Sequence, residues 1–279
     1  MCRMSALAAT ALALSLSAQP AMAFGFGGRA KAESTPPEAV PAQAAAEGRA
    51  SAAERQVAER LDPLARAAFW ARESQTDPTD LEAGLNLARA LRDMGKPEDA
   101  AATAERLLAL APDNTDVLLE AARAHLARGQ GFFAVAPAER AQALTPADWR
   151  PPFLLAMAYE QSSREAEALA AHRRAVQLAP NNPAVLSNLA LFQAARGQTS
   201  EAEALLRHAV AQPDAGVTTR QNLALILGLQ GRLDEAEALA RRDLPPQMVS
   251  ANLAYLRAAT APATQAPARS WDSVSQAQP

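Results

Sequence analysis

Apolar residues recur along the middle of the chain at helical spacing, three and four positions apart, and turn residues interrupt them at regular intervals. Pro78, Pro112, Pro146 and Pro180 are each 34 residues apart, and Pro213 follows after a further 33. A second turn marker falls between them. This turn residue is glycine in four units, at Gly95, Gly129, Gly197 and Gly231, and serine in one, at Ser163. Each unit therefore predicts a helix, a tight turn, a second helix and a proline-marked turn.

Alanine occupies two fixed positions of every unit. These residues are Ala88, Ala122, Ala156, Ala190 and Ala224 at position 8, and Ala100, Ala134, Ala168, Ala202 and Ala236 at position 20. The pattern resembles the tetratricopeptide repeat, in which small residues at these positions let two helices approach closely. The resemblance implies an all-α fold, a superhelical solenoid of about five helix pairs.

The period sets the predicted domain boundaries. Five repeats are expected at 81–114, 115–148, 149–182, 183–216 and 217–250. Residues 51–80 and 248–259 continue the helical pattern and are predicted to cap the two ends, because the terminal repeats of a solenoid otherwise expose their stacking faces.

The first residues predict a signal peptide. Residues 5–17 form a short apolar stretch, and Ala21, Met22 and Ala23 supply the small-x-small pattern of a cleavage site. We expect residues 1–23 to be removed after Ala23 and the protein to be exported, in a bacterium to the periplasm. The alternative is an uncleaved N-terminal anchor. No later stretch of sequence is apolar for long enough to predict a membrane span.

Two further segments have the composition of disordered tails. Residues 24–50 are rich in glycine, proline and small residues, and residues 260–279 are rich in alanine, proline, glutamine and serine. Trp271 stands out in the second segment, either as a docking anchor or as an incidental residue.

The sequence offers little for catalysis. Its formal charge of −3 does not favour broad binding to nucleic acid, and a single cysteine excludes a disulfide framework. His125, His172 and His208 are not at metal-ligand spacing, and no nucleophile–base motif is present. We therefore predict a non-enzymatic protein without metal or cofactor.

The repeat resemblance also implies a partner-binding groove. In that family, positions 2, 5, 9, 12 and 13 face the concave surface. The predicted contact residues are Leu85, Arg89, Arg92, Leu119, Arg123, Phe153, Met157, Leu191 and Leu225. Such a groove is apolar in its middle and has arginines at its N-terminal end, so it would suit a peptide with hydrophobic side chains. Alternatively, the C-terminal helix or tail folds back over it. Because no lysine falls at these positions, binding of a chaperone tail is not expected.

Residues 219–257 are more particular than a generic repeat. The stretches Arg-Gln-Asn-Leu-Ala, Ala-Arg-Arg-Asp-Leu-Pro-Pro and Ala-Asn-Leu-Ala-Tyr-Leu-Arg resemble the TadD family. That family is the tetratricopeptide component of tight-adherence (Flp) pilus assembly. The resemblance implies a part in building a type IV-like pilus for adhesion and biofilm formation, with the outer-membrane secretin or other pilus-assembly proteins as partners.

One departure from the TadD family concerns lipidation. Many members are lipoproteins, but Cys2 precedes the apolar stretch and cannot be the lipid acceptor. A periplasmic adaptor, associated with the outer membrane only through a partner, therefore fits better than a lipid-anchored pilotin. The alternatives are an exported scaffold of another envelope or polysaccharide assembly system, and an enzyme or enzyme subunit.

Overall fold

The computed structural model describes residues 48–260, and every regular element in that span is an α-helix. Several predictions from the sequence fall outside these residues. They are the signal peptide with cleavage after Ala23, nearly all of the 24–50 segment, and the segment that follows Thr260 and contains Trp271.

Between residues 48 and 260 the chain forms thirteen helices. They are α1 (Ala52–Ala58), α2 (Pro63–Thr76), α3 (Leu81–Asp93), α4 (Pro97–Leu110), α5 (Thr115–Ala127), α6 (Gly131–Leu144), α7 (Arg150–Gln161), α8 (Glu165–Leu178), α9 (Pro183–Ala194), α10 (Thr199–Val210), α11 (Val217–Leu229), α12 (Leu233–Ala240) and α13 (Pro246–Thr260).

Helices α3 to α12 form five successive pairs. The turn inside each pair contains one residue in the left-handed region, where φ is positive. Glycine takes this conformation without steric cost and provides it in four turns, for example at Gly95 with φ of 69°. Ser163, with φ of 57°, provides it in the pair α7–α8. The glycine period of the sequence is thus the period of these turns.

The pairs stack into one solenoid with a continuous core. Each helix packs against the next in the chain, and the first helices α3 and α5, α5 and α7, and α9 and α11 also pack together. All ten alanines at positions 8 and 20 are buried, with at most 5% of their surface exposed. Alanine has no atoms beyond Cβ, so the helices can approach closely at these points. The predicted all-α solenoid is confirmed.

Helices α1 and α2 close the N-terminal end. Trp70 of α2 has no exposed surface and packs with Ala58, Ala83 and Leu87. Arg55 of α1 lies 5.7 Å from the Trp70 ring centroid and contributes a cation–π contact. One aromatic side chain therefore joins α1 and α2 to the first helix of the first pair.

Arg55 also links three elements through acidic partners. Its guanidinium lies 2.6 Å from Asp80 Oδ2, 3.0 Å from Glu73 Oε2 and 2.6 Å from Glu82 Oε2. The hydrogen bond that it donates to Asp80 is the main reason that the pKa of Arg55 rises above its ordinary value. The network fixes α1 against α2 and α3.

Helix α13 closes the C-terminal end and packs on α11 and α12. Val249, Leu253 and Leu256 are its buried residues. The contact is close at Gly228, where an added Cβ would lie 2.3 Å from Leu256 Cδ1. Helix α13 thus packs closely against the last helix pair.

The close packing of the small residues can be tested at position 8 of the fourth unit. Ala190 has no exposed surface and lies in a cluster with Leu206, Leu223 and Ile226. We expect Ala190→Leu to lower the free energy of unfolding by about 1–3 kcal/mol, because the added atoms have no space. Urea unfolding measures the effect. Ala184→Leu, on the exposed side of the same helix, should change it by less than about 0.5 kcal/mol, and equal losses in both variants would contradict this packing argument.

Candidate functional site

Three arginines converge on one buried carboxylate near the N-terminal end of the concave face. Glu120 of α5 has no exposed surface, and its Oε1 accepts a hydrogen bond from Arg92 Nε at 3.0 Å. Its Oε2 lies 3.5 Å from Arg123 Nη1 and 3.7 Å from Arg89 Nε. Three guanidinium groups surround one carboxylate, so this arginine cluster (Arg89, Arg92, Arg123 and Glu120) carries an excess of positive charge.

The cluster remains open to solvent on one side. The side chains of Arg92 and Arg123 are each 28% exposed, and that of Arg89 is 45% exposed. Burial lowers the pKa of Arg123, the Glu120 charge opposes this change, and the two neighbouring guanidiniums reinforce it. Arginine still stays charged at any physiological pH and offers several N–H donors. The cluster can therefore receive an anionic group.

Apolar side chains continue the concave face toward the C-terminus. Phe153, Met157 and Leu191 are half-buried, and Leu225 is 36% exposed. Leu85 is likewise half-buried. These five residues, which the repeat positions predicted, all keep accessible surface on the first helices of their pairs.

Leu119 corrects the sequence-based prediction. It has no exposed surface and belongs to a core cluster that includes Leu154 and Leu155 of α7. Helix α5 lies against α7, and position 5 falls at this contact. Ser187, at position 5 of the fourth unit, is also buried. Leu119 therefore stabilises the fold and is not available to a partner.

A recess of about 240 Å³ interrupts the apolar face between α7 and α9. Its lining residues are Met157, Glu160, Gln161, Asn188 and Leu191. The helix pairs α3 and α5, α5 and α7, and α9 and α11 are in closer contact than α7 and α9 are. The recess lies where the first helices of neighbouring units diverge most.

Helix α13 borders the C-terminal end of the groove. A second recess of about 280 Å³ lies between α11 and α13, with Leu225 and Leu253 among its walls. Because α13 packs on α11 and α12, Phe153, Met157 and Leu191 keep accessible surface in its presence. The C-terminal helix thus leaves the middle of the groove uncovered.

Two acidic residues of the concave face, Glu120 and Glu160, were not predicted from the sequence. A signal for each was present in the repeat alignment. Position 6 is asparagine at Asn86, Asn188 and Asn222, so Glu120 departs from the pattern. Position 12 is one of the family's concave positions, and Glu160 is its only acidic occupant in the five units.

The three histidines of the described residues lie on three different helices, α5, α8 and α10. His125 and His172 are buried, and His208 lies 3.1 Å from Asn181 Oδ1 at the surface. Between residues 48 and 260, no group of three or more histidine, cysteine or acidic residues is placed to hold a metal ion. None of the helices in this span is long and apolar enough to cross a membrane.

Comparison with known families agrees with the geometry. A model of the tetratricopeptide repeat matches residues 91–131 and 159–216, and a second such model matches residues 217–244. The fold is a tetratricopeptide-repeat superhelix. No curated protein matches the sequence.

Several solved tetratricopeptide-repeat structures are similar. TTC0263, a thermophilic protein of Thermus thermophilus, is 26% identical with a TM-score of 0.56, over 63% of this chain and 97% of that one. A repeat protein of Parabacteroides merdae is 14% identical with a TM-score of 0.59, over 78% of this chain and 87% of that one. The pilF structure of Pseudomonas aeruginosa is 16% identical with a TM-score of 0.56, over 74% and 96%. The last two similarities concern the fold alone.

Tetratricopeptide repeats mediate protein–protein interactions, and proteins with this fold are generally non-catalytic scaffolds. The repeats of this chain therefore indicate an interaction scaffold, and its concave face is the surface to consider first.

Proposed function

We propose that this tetratricopeptide-repeat protein is a non-enzymatic adaptor in the assembly of a tight-adherence (Flp) pilus. It acts in the periplasm and binds a segment of the secretin, or of another assembly protein, in its concave groove. The observation that carries the binding site is the presence of the arginine cluster and of accessible apolar side chains on the first helices that line the concave face.

The groove combines two kinds of contact. Phe153, Met157 and Leu191 offer apolar surface that a partner's hydrophobic side chains would remove from water. Arg89 and Arg123 offer charged donors at the N-terminal end, where an acidic group of the same partner would orient the segment. An extended or helical peptide with hydrophobic residues and an acidic end fits this surface.

The pilus assignment is supported by the C-terminal sequence. Residues 219–257 form most of α11, all of α12 and most of α13, and their three motifs meet in the fold. Arg220 of the first motif binds Asp243 of the second through Nε, at 2.8 Å, while Leu253 of the third packs with Ala224 of the first. The TadD-like motifs therefore build the end of the solenoid as one unit.

Capture from the cell envelope tests the proposal. Residues 24–279 serve as bait in a detergent extract of the organism's own envelope, with crosslinking and mass spectrometry. We expect recovery of the secretin or other pilus-assembly proteins. Recovery of proteins from an unrelated envelope system would instead indicate a scaffold for that system, and would overturn the pilus assignment.

The groove is tested by the double variant Met157→Asp with Leu191→Asp. We expect capture of the partner to fall about tenfold or more, because two carboxylates would be buried against apolar partner groups. The matched control is Leu110→Asp with Leu144→Asp, which places the same charges on exposed residues of the second helices. Circular dichroism checks that both variants are folded. Equal capture by the two variants would contradict a partner site in the groove.

A further inference from the structure

Glu160 differs from the other acidic residues on the first helices of the five units. Each of the other four forms an ion pair with an arginine of this protein. The pairs are Glu82 with Arg55, Asp93 with Arg66, Asp116 with Arg150, and Glu120 with Arg92. Within residues 48–260, Glu160 has no arginine or lysine partner, and its only ionisable contact is His172.

His172 positions the Glu160 carboxylate. Its Nε2 lies 2.6 Å from Glu160 Oε1, and its ring is fully buried at 4.9 Å from the Phe192 ring centroid. Nδ1 has no hydrogen-bond partner among the described residues. The buried ring thus holds the Glu160 carboxylate in place, and no arginine or lysine of the described residues shares that carboxylate.

The recess around Glu160 has both apolar and polar walls. Met157 and Leu191 supply the apolar walls, and Gln161 and Asn188 supply polar walls. The Glu160 side chain is 37% exposed, so it can be reached from the groove. A lysine or arginine side chain has the matching construction, since an apolar stem carries a charged donor at its tip.

We infer that this recess binds a lysine or arginine side chain of the segment held in the groove. The inference rests on the proposed function, because it names a residue type of the partner at the same surface. Glu160 provides the charge, Met157 and Leu191 hold the methylene stem, and His172 fixes the carboxylate. With the arginine cluster at the N-terminal end and this recess further along, the groove then prefers a segment that has an acidic residue, hydrophobic residues and a basic residue.

A phage-displayed library of random peptides is the probe. It is selected on wild-type residues 24–279, on Glu160→Gln, and on the matched control Glu201→Gln, which alters an exposed residue of α10. Glutamine keeps the side-chain size and can still bond to His172, so the fold should be retained. We expect groove-dependent peptides with a basic residue at a fixed place, and about tenfold weaker binding of a synthetic member to Glu160→Gln.

A charge reversal makes the test sharper. The variant Glu160→Lys should bind the basic peptide much more weakly than the wild type does. It should bind a peptide whose lysine is replaced by glutamate more tightly than the wild type does. The inference would be overturned if the groove-dependent peptides had no preferred basic residue, or if Glu160→Gln did not change that preference. Either result would leave the groove proposal intact. If no selected peptide is sensitive to the Met157→Asp and Leu191→Asp double variant, the groove proposal fails and this inference fails with it.

Discussion

Trp70→Ala should lower the free energy of unfolding by about 3–5 kcal/mol, as expected when a large buried aromatic side chain is removed from a core. Trp70 has no exposed surface and joins α1 and α2 to α3 through Ala58, Ala83 and Leu87. Its loss leaves a cavity and removes the cation–π contact with Arg55. Helices α1 and α2 would then no longer close the N-terminal end of the first helix pair.

Denaturant unfolding and amide hydrogen exchange measure this effect. In a solenoid each unit contacts mainly its neighbours. The rate of amide exchange should therefore rise more in α1 to α4 than in α9 to α12. Leu64→Ala is the control, because Leu64 lies on the same helix but is 66% exposed, and it should change stability by less than about 0.5 kcal/mol. A Trp70→Ala protein with wild-type stability would show that the N-terminal cap does not support the repeats.

Glu120→Ala should lower the free energy of unfolding by about 2–3 kcal/mol. The substitution removes the carboxylate that Arg89, Arg92 and Arg123 share, and leaves a cavity where its buried side chain was. The arginines are partly exposed, so water compensates some of the loss, and the cost stays below that of a fully buried pair. Glu105→Ala is the control, because its side chain is 55% exposed.

The electrostatic part of this effect is separated by Glu120→Gln. That variant keeps the volume, so its smaller loss arises mainly from unbalanced charge among the arginines. Added sodium chloride should recover part of the loss in Glu120→Gln, because salt screens repulsion between partly exposed charges. Thermal unfolding at low and high salt measures the recovery. A loss that salt does not change would mean that shape and hydrogen bonding, not charge, account for the role of Glu120.

The fold could be predicted from the sequence because every repeat encodes the same turns and the same helix contacts. Proline and glycine mark turns through their own backbone preferences, and Ala190 and its equivalents mark helix contacts through size alone. Each rule acts within one unit or between neighbours, so a period of 34 residues is enough to place the helices.

The groove residues could be predicted less completely, because the exposure of their side chains depends on how closely two units approach. Leu119 and Phe153 share position 5, yet only Phe153 keeps accessible surface, since α7 covers the first and α9 stands further from the second. Glu120 and Glu160 are both glutamates of first helices. Their different roles depend on whether arginines from neighbouring units reach them, and one sequence does not show that contact.

The wider separation of α7 and α9 has a mechanical consequence. A rod of stacked units is most compliant where consecutive units share the least contact, and here that joint lies between the third and fourth repeats. Flexing there changes the curvature of the concave face and the width of the recess together, while the joints on either side stay stiff. A segment wedged between α7 and α9 would brace the rod at its weakest joint, so occupancy of the groove and rigidity of the whole superhelix would rise together.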